Sequence, residues 1–516
     1  IGEAHTVNVD PRRPHIAYVV TSDAVGVNGD GVRTNELAQS DRLGRPAPDL
    51  FSHDGFEVVD LSSCMTAPFG TMPDGLDVAG KRAACKPQVW RYRYETTAMA
   101  LGHTNKNTVY GCHELETYAD DTLTCGGGAA MLLLDMAGVF APGADGLERP
   151  KGEPLPCAVR ESSSVVTPSG AAVTDCVVGV DGFDLRIRNW LANGTPGSIT
   201  EDVGYLGTAH HQGRQSATGD VTSPAFPATE EIDFDHEAEY THSGKFVIAT
   251  DERGGGVLPP GATCTQALDN PVGNGGLHAY AVDRLFRTTD LAAVPTAEQA
   301  FTSYARTPGG DKAIFRTPVN TPGTPTECTA HVFQQLPQEG DGSMGHIFMG
   351  WYSQGTQVLD YRENADGSFE FALVGYFIPE LANQWVSHVF SCQVQDDGRI
   401  AYYGVASDFQ LGNGRNAVEV YKATLPPLGA AFDEGAAAVT EAPSFCAAAT
   451  STEGGPGGDT DGGTGGTGGG GSTTPATAQR SLPATGADLG LLVLAAVLLP
   501  AAFGVRVLRR RISPTP

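Results

Sequence analysis

The sequence predicts an all-β fold, a β-propeller of about six (six to seven) four-stranded blades that occupies residues 1–448. Short runs rich in Val, Ile, Tyr and Phe alternate with clusters of Gly, Asp and Asn, and helical periodicity is rare before residue 449, a pattern typical of strands joined by turns. A larger unit also returns five times, and it consists of a histidine-led strand followed by further strands. Four short antiparallel strands per repeat form a propeller blade, which hides its sheet edges by circular closure. A pair of β-sandwiches is the alternative, but it does not explain the repetition.

Five histidines mark the first strands of these repeats. They are His5, His113, His236, His331 and His388. The shortest interval between successive histidines fits a single blade, so the longer intervals contain insertions or a blade without a leading histidine. We predict one such unmarked blade from residues 171–191, continued at 202–213.

The first and last repeats show the predicted strands most clearly. After His5 come "HIAYVVTSD", "HDGFEVVDLSS" and "QVWRYRYE", and after His388 come "RIAYYGVASD" and "GNGRNAVEVYKA". The last repeat lacks an obvious fourth strand. Since the chain begins at Ile1 without a visible signal peptide, we expect a missing N-terminal region to supply that strand, unless "APSFCAAAT" does so.

The strands "IAYVVTSD", "GFEVVDLS" and "LTCGGGAAMLLLD" resemble those of the LVIVD-repeat β-propeller family. Blades of that family carry an inner-strand histidine, a "YVAD"-like second strand and a "GLVIVDVS"-like third strand. The resemblance spans most of residues 1–425, although the second strands here read "VVTSD", "IATDE" and "GVASD" and insertions break the period. It implies the propeller fold but no single activity.

In a propeller, the five leading histidines form a ring at one mouth of the central channel. On the architectural interpretation, each ring N–H binds a carbonyl oxygen of the neighbouring blade and fixes the blades together. On the functional interpretation, several imidazoles converge on a small ligand or on a Cu, Zn or Fe ion. Glu114, Glu237 and Glu239 lie beside two of the histidines and are expected to orient their rings in that case.

Other polar groups carry weaker signals. Asp251 and Glu252 in "ATDERGGGV", and "NGDG" at residues 28–31, offer oxygen ligands for Ca²⁺, but neither matches a full calcium loop, so solvated turns are predicted. His210 and His211 are predicted to lie on the surface of an outer strand. No GxSxG, HExxH, P-loop or strand-following GxGxxG motif occurs, so the usual hydrolase and nucleotide-binding signatures are missing.

The ten cysteines all precede residue 449, and none belongs to a CxxC pair, which argues against a zinc ribbon or a thioredoxin-like motif. An even number of cysteines in an exported chain predicts disulfides. Short separations favour three pairs, and elimination leaves two more. These predicted pairs are Cys64–Cys85, Cys112–Cys125 and Cys157–Cys176, then Cys264–Cys328 and Cys392–Cys446.

The C-terminal part has a different character. Residues 449–480 are rich in Gly and Thr with almost no apolar side chains, and we predict a disordered linker. Residues 481–516 contain an LPATG motif, an apolar run and four arginines, which predict a transmembrane helix over 489–507 with a cytoplasmic basic end. The motif consists of Leu482, Pro483, Ala484, Thr485 and Gly486.

This three-part tail resembles the sortase sorting signal of Gram-positive surface proteins, and we expect an actinobacterial source. The resemblance implies that sortase cuts between Thr485 and Gly486 and joins Thr485 covalently to peptidoglycan. The protein would then be extracellular and anchored to the cell wall, and inserted in the membrane only before sorting. A plain membrane anchor is the alternative.

Charge and location together favour a surface role. The formal net charge of −27 argues against nucleic acid or anionic lipid as a partner. The sequence therefore favours an extracellular protein for adhesion or for binding an unknown extracellular ligand. A metal-dependent enzyme, such as an oxidoreductase that uses the histidine ring, is one alternative, and a structural surface component is the other.

Overall fold

The structure is a computed structural model. It describes residues 4–21, 26–27, 33–34, 55–65, 87–93, 112–127, 130–154, 157–166, 172–178, 203–210, 232, 235–252, 275–287, 302–319, 328–336, 340–380, 382–395, 399–408 and 417–432. Within these ranges, no helix is long and apolar enough to cross a membrane. The linker, the sorting motif and the predicted helix at 489–507 lie outside them.

The first two blades are antiparallel four-stranded sheets with inserted hairpins. Blade 1 contains β1 (Ala4–Val9), β2 (Ile16–Thr21), β5 (Gly55–Asp60) and β6 (Gln88–Arg93), with a hairpin of β3 (Gly26–Val27) and β4 (Arg33–Thr34) in its connections. Blade 2 contains β7 (Glu114–Thr117), β8 (Thr122–Gly127), β9 (Ala130–Asp135) and β14 (Gly204–His210). Two hairpins separate its last two strands, β10 (Phe140–Pro142) with β11 (Glu148–Pro150) and β12 (Cys157–Val166) with β13 (Ala172–Val178).

Three further blades follow. Blade 3 contains β15 (Asp235–Tyr240), β16 (Phe246–Asp251), β17 (Leu277–Ala281) and β18 (Ile314–Phe315). Blade 4 contains β19 (Phe333–Gln335), β20 (Met344–Gly350), β21 (Thr356–Glu363) and β22 (Phe369–Phe377). Blade 5 contains β23 (Gln384–Val394), β24 (Ile400–Asp408) and β25 (Val418–Leu425). The segment "APSFCAAAT", a candidate for its fourth strand, lies outside the described residues.

The predicted all-β propeller is confirmed, but the prediction of about six blades is wrong, because the described residues form five. The described residues of the predicted unmarked blade do not form one sheet. Its first part supplies β13, which pairs with β12 in a separate hairpin, and its second part supplies β14, the outer strand of blade 2. Long insertions cost little additional loop-closure entropy, so histidine spacing cannot count blades.

Alternating side chains on each sheet build the cores between successive blades. On β16, Val247 and Ala249 pack with blade 2 residues, whereas Ile248 on the opposite face packs with Ile347 and Met349 of blade 4. Neighbouring residues of a strand point to opposite faces, so blade 3 lies between blades 2 and 4. Similar cores join blades 1 and 2 and blades 4 and 5.

Disulfide bonds are present among the described cysteines. Cys112 and Cys125 are joined, as their short separation predicted, and this bond ties the residue before His113 to strand β8. Cys64, Cys328 and Cys392 are also disulfide-bonded. Their predicted partners lie outside the described residues, so those pairings stay predictions, as does Cys157–Cys176.

Candidate metal centre

Three of the five predicted histidines meet where the inner strands of blades 2, 3 and 4 begin. His113 directly precedes β7, His236 is the second residue of β15, and His331 lies two residues before β19. The ring centroids of His113 and His236 are 4.3 Å apart, and those of His236 and His331 are 4.0 Å apart. The inner-strand repeat therefore does bring imidazoles together, as the sequence predicted.

The remaining two predicted histidines, His5 and His388, are not among the three that cluster in the described structure. His5 lies on β1, whose Thr6 hydroxyl donates to the carbonyl oxygen of His113 at 3.4 Å, but the His5 side chain lies outside the described part of the structure. His388 pairs with Val405 inside blade 5, and among the described residues no ring contact joins it to the three clustered histidines. Burial lowers the pKa of His388 to about 4, so its ring is neutral at physiological pH.

Trp385 takes the place that His388 was expected to fill. Its indole stacks on the imidazole of His331 with centroids 4.8 Å apart and planes 27° from parallel. The Nδ1 atom of His331 lies 2.8 Å from the carbonyl oxygen of Trp385, which is the contact between blades that the architectural interpretation predicted. The strand of blade 5 begins at Gln384, before its histidine, and this earlier start was the feature that could have pointed to Trp385.

Glu252 completes the cluster. The ligand atoms of His113, His236 and Glu252 all lie within 4.8 Å of one another, and these residues are 8%, 0% and 6% exposed. The predicted solvated turn at Asp251 and Glu252 is therefore wrong. Because β16 runs antiparallel to β15, with Asp251 opposite Asp235, the end of the second strand returns to the start of the first. An antiparallel hairpin of two predicted strands was therefore the feature that could have placed Glu252 beside His236 from the sequence.

The ring of His236 has two different environments. Its Nδ1 atom lies 3.0 Å from Oε2 of Glu114, and its Nε2 atom lies 3.9 Å from Oε2 of Glu252. A carboxylate that accepts from Nδ1–H leaves the lone pair of Nε2 available to a metal. Of the three acids predicted to orient the histidine rings, Glu114 lies at ion-pair distance from His236. Glu237 and Glu239 accept hydrogen bonds from the Phe333 amide and the Gln335 side chain instead.

Tyr352 was not predicted, yet it holds Glu252 in place. Its hydroxyl donates to Oε1 of Glu252, and Nε2 of His331 lies 3.6 Å from the same oxygen. Tyr352 has a φ of 39°, in the left-handed region that aromatic residues rarely adopt. Such a conformation persists where surrounding contacts determine it, and these residues are often functional.

A glycine sets the distance between blades 2 and 3 at this point. A Cβ atom on Gly126 of β8 would lie 2.7 Å from the carbonyl oxygen of His236, closer than atoms can approach. The carbonyl oxygen of Gly126 also accepts the His113 amide at 2.7 Å. Gly126 therefore lets β8 approach β15, and it holds the backbones of both histidines near each other.

A second pair of carboxylates lies beside the cluster. Asp235 and Asp251 are directly opposite one another and fully buried. Burial, and then the charge of Asp251, raise the pKa of Asp235 well above its ordinary value. Asp235 therefore tends to keep its proton, which limits the negative charge next to Glu252.

The chemistry of the cluster fits a transition metal. Two imidazole nitrogens and one carboxylate oxygen form the ligand set found for Zn²⁺ in hydrolases and for non-haem Fe²⁺ in oxygenases. Three protein ligands leave coordination positions open to water or substrate. Imidazole and indole rings pack around the cluster, and its three ligands are almost fully buried, which strengthens electrostatic interactions among them.

Comparison with known proteins identifies no family for this chain. No protein-family model matches the chain, and no curated protein matches it. The resemblance to the LVIVD family therefore stays a prediction. One similar solved structure is the periplasmic gluconolactonase PpgL of Pseudomonas aeruginosa, with 11% sequence identity and a TM-score of 0.26. The alignment covers 81% of this chain and 88% of that chain.

Proposed function

We propose that this protein is an extracellular metal-binding β-propeller, and that it holds one divalent transition metal through His113, His236 and Glu252. The observation that carries the proposal is the convergence of these three ligand atoms from two blades within 4.8 Å. Two imidazoles and a carboxylate that converge in a nearly buried place form a ligand set suited to a divalent transition metal. This observation favours the metal-dependent alternative over adhesion.

A bound metal would supply Lewis acidity or redox chemistry, according to its identity. The protein residues have separate tasks. Glu114 would fix the tautomer of His236, and Tyr352 would hold one oxygen of Glu252 in place. His331 and Trp385 would close one side of the site against water.

Metal content tests the proposal. The full chain would be produced through an oxidising compartment, and its metals would be measured by inductively coupled plasma mass spectrometry. We expect about one Zn, Fe or Cu ion per chain. His236→Gln should reduce that content at least tenfold, since it removes the ligand nitrogen that Glu114 orients.

His388→Gln is the matched control, because it changes a histidine of the same repeat that lies outside the cluster. It should keep the wild-type metal content, and both variants should keep the circular dichroism spectrum of the wild type. Equal metal loss in the two variants, or a folded wild type without metal, would refute the proposal.

Adhesion or ligand binding is the second candidate function. Blades 4 and 5 expose large apolar side chains, among them Val418 at 73%, Val420 at 70% and Tyr376 at 60%. Exposed apolar side chains in one region can form a binding surface. If the wild type contained no metal, this surface would become the leading candidate for the functional site.

We also propose that the protein is joined to the cell wall through Thr485, since the motif, apolar run and arginine cluster occur in the order of a sorting signal. Mass spectrometry of digested cell walls should find peptides that end at Thr485 and carry a peptidoglycan fragment. Thr485→Ala should abolish them, whereas Thr477→Ala in the related "PATA" sequence of the linker should not. Wall linkage that survives Thr485→Ala would contradict this proposal.

A further inference from the structure

We propose that the channel holds a second cation, a hard divalent ion of the calcium class, bound by Glu116 of blade 2, Glu239 of blade 3 and the side-chain oxygen of Gln335 in blade 4. These residues lie on the inner strands β7, β15 and β19. All three are more than nine-tenths buried. The site is separate from the histidine cluster and does not depend on the transition metal proposed there.

The carboxylates of Glu116 and Glu239 have few protein partners. Asn8 donates to one oxygen of Glu116, and Gln335 donates to Oε2 of Glu239 at 2.8 Å. Neither carboxylate forms an ion pair with a Lys or Arg among the residues that the structure describes. Buried carboxylates without a cationic partner are unfavourable in the ionised state, so this part of the channel requires a proton or a cation.

The amide of Gln335 points to a cation. Its Nε2 atom uses both hydrogens, on Oε2 of Glu239 and on the carbonyl oxygen of Tyr240, each at 2.8 Å. Its Oε1 atom is buried and accepts no hydrogen bond from the residues that the structure describes. Turning the amide over would place Oε1 against two other acceptors. An oxygen that is fixed beside a carboxylate and has no donor is well suited to coordinate a metal.

The electrostatics of the neighbourhood support this inference. Burial raises the pKa of Glu116 to about 8, with a further contribution from Glu114, and raises that of Glu239 well above its ordinary value, with a contribution from Glu116. The charge of Glu116 contributes to the raised pKa of Glu239, which is consistent with two neighbouring carboxylates on adjacent inner strands. Glu237, whose Oε2 accepts the Phe333 amide at 2.7 Å, adds a further carboxylate to the same group.

The ligand chemistry identifies the class of ion. Carboxylate and amide oxygens are the ligands that Ca²⁺ prefers, and Ca²⁺ accepts irregular sets of six to eight oxygens completed by water. Imidazole, which favours transition metals, is absent from the three proposed ligands. The channel would therefore contain two sites with different selectivity, one with nitrogen ligands at the mouth and one with oxygen ligands along the inner strands.

Terbium luminescence offers a direct test, because Tb³⁺ replaces Ca²⁺ and is excited through nearby tyrosine. Tyr118 is close enough to Glu239 and Glu116 for both to raise its pKa, although burial is the larger cause. The full-length His236→Gln variant is used, so that the histidine site cannot contribute. We expect saturable luminescence at one ion per chain, displaced by Ca²⁺.

Substitutions then locate the ion. Glu116→Gln combined with Glu239→Gln should weaken Tb³⁺ binding at least 100-fold, while Glu363→Gln, which changes another buried carboxylate, should leave it unchanged. As a measurement without a site variant, Ca²⁺ should raise the midpoint of thermal unfolding of the wild type. The proposal is overturned if folded protein shows no saturable signal and no thermal shift, because protons alone would then neutralise the carboxylates. It is also overturned if the double variant binds Tb³⁺ as well as its parent. Since His236→Gln removes only the transition-metal site, the two proposals fail separately.

Discussion

Arg13→Ala is expected to lower the free energy of unfolding by about 3–5 kcal/mol, the usual cost of removing one partner from a buried ionic network. The Arg13 guanidinium is 5% exposed and bonds to Asp10 at 2.9 Å, Asp121 at 2.7 Å and Glu148 at 2.7 Å. Burial opposes its charge, but Asp121 and Asp10 raise the pKa of Arg13 above its ordinary value. Without Arg13, the nearly buried Asp10 would lose this counter-ion, and Asp121 would keep only its pair with the exposed Arg12.

This network joins blades 1 and 2, because Asp10 follows β1 and Asp121 lies in the turn between β7 and β8. Arg12→Ala is the matched control. Arg12 also pairs with Asp121, but its side chain is 44% exposed, and exposed ion pairs contribute at most about 1 kcal/mol. Urea denaturation followed by tryptophan fluorescence would measure both variants, and similar costs for the two arginines would disprove the assigned role of Arg13.

Stability of the metal-free protein is expected to fall as pH rises from 6.5 to 8. Burial raises the pKa of Glu116 to about 8 from an ordinary value of 4.5, so the folded state keeps a proton that the unfolded chain releases. The resulting stabilisation is complete below pH 4.5 and is lost as pH rises through 8. Over the stated interval the loss is on the order of 2 kcal/mol for Glu116 alone.

The pH interval isolates the carboxylates. Burial lowers the pKa of His242 and of His388 to about 4, so these histidines destabilise the fold only as pH falls below 6.5. Urea denaturation in the presence of EDTA, at pH 6.5 and 8, would measure the effect. Glu116→Gln should flatten the pH dependence, and saturating Ca²⁺ should do the same if it replaces the protons. An unchanged slope in Glu116→Gln would show that Glu116 does not cause it.

Local pattern was enough to predict the blades as units. The three strands around His388 and the four after His331 occur in the structure where alternation and turn residues placed them. Strand periodicity and turns depend on neighbours in the chain, so a sequence reveals them directly. The number of blades cannot be predicted from neighbours in the chain, because the last strand of blade 2, β14, pairs with β9 across two inserted hairpins.

Some residues of the candidate metal centre could likewise be predicted from the sequence, and others could not. The sequence by itself determined that His113, His236 and His331 share one structural position, since each leads an inner strand. Only the tertiary structure decided that Glu252 and Tyr352 complete this site, because their positions depend on how hairpins return and how blade 4 packs against blade 3.

The acids beside the histidines illustrate the same limit. Sequence adjacency suggested that Glu237 would orient His236. The side chains of neighbouring strand residues point to opposite faces, so the partner came from Glu114 on another blade. Sequence thus determined which residues line the inner strands, while the packing of blades decided which of them meet, since contacts between blades join residues that are about a hundred positions apart in the chain.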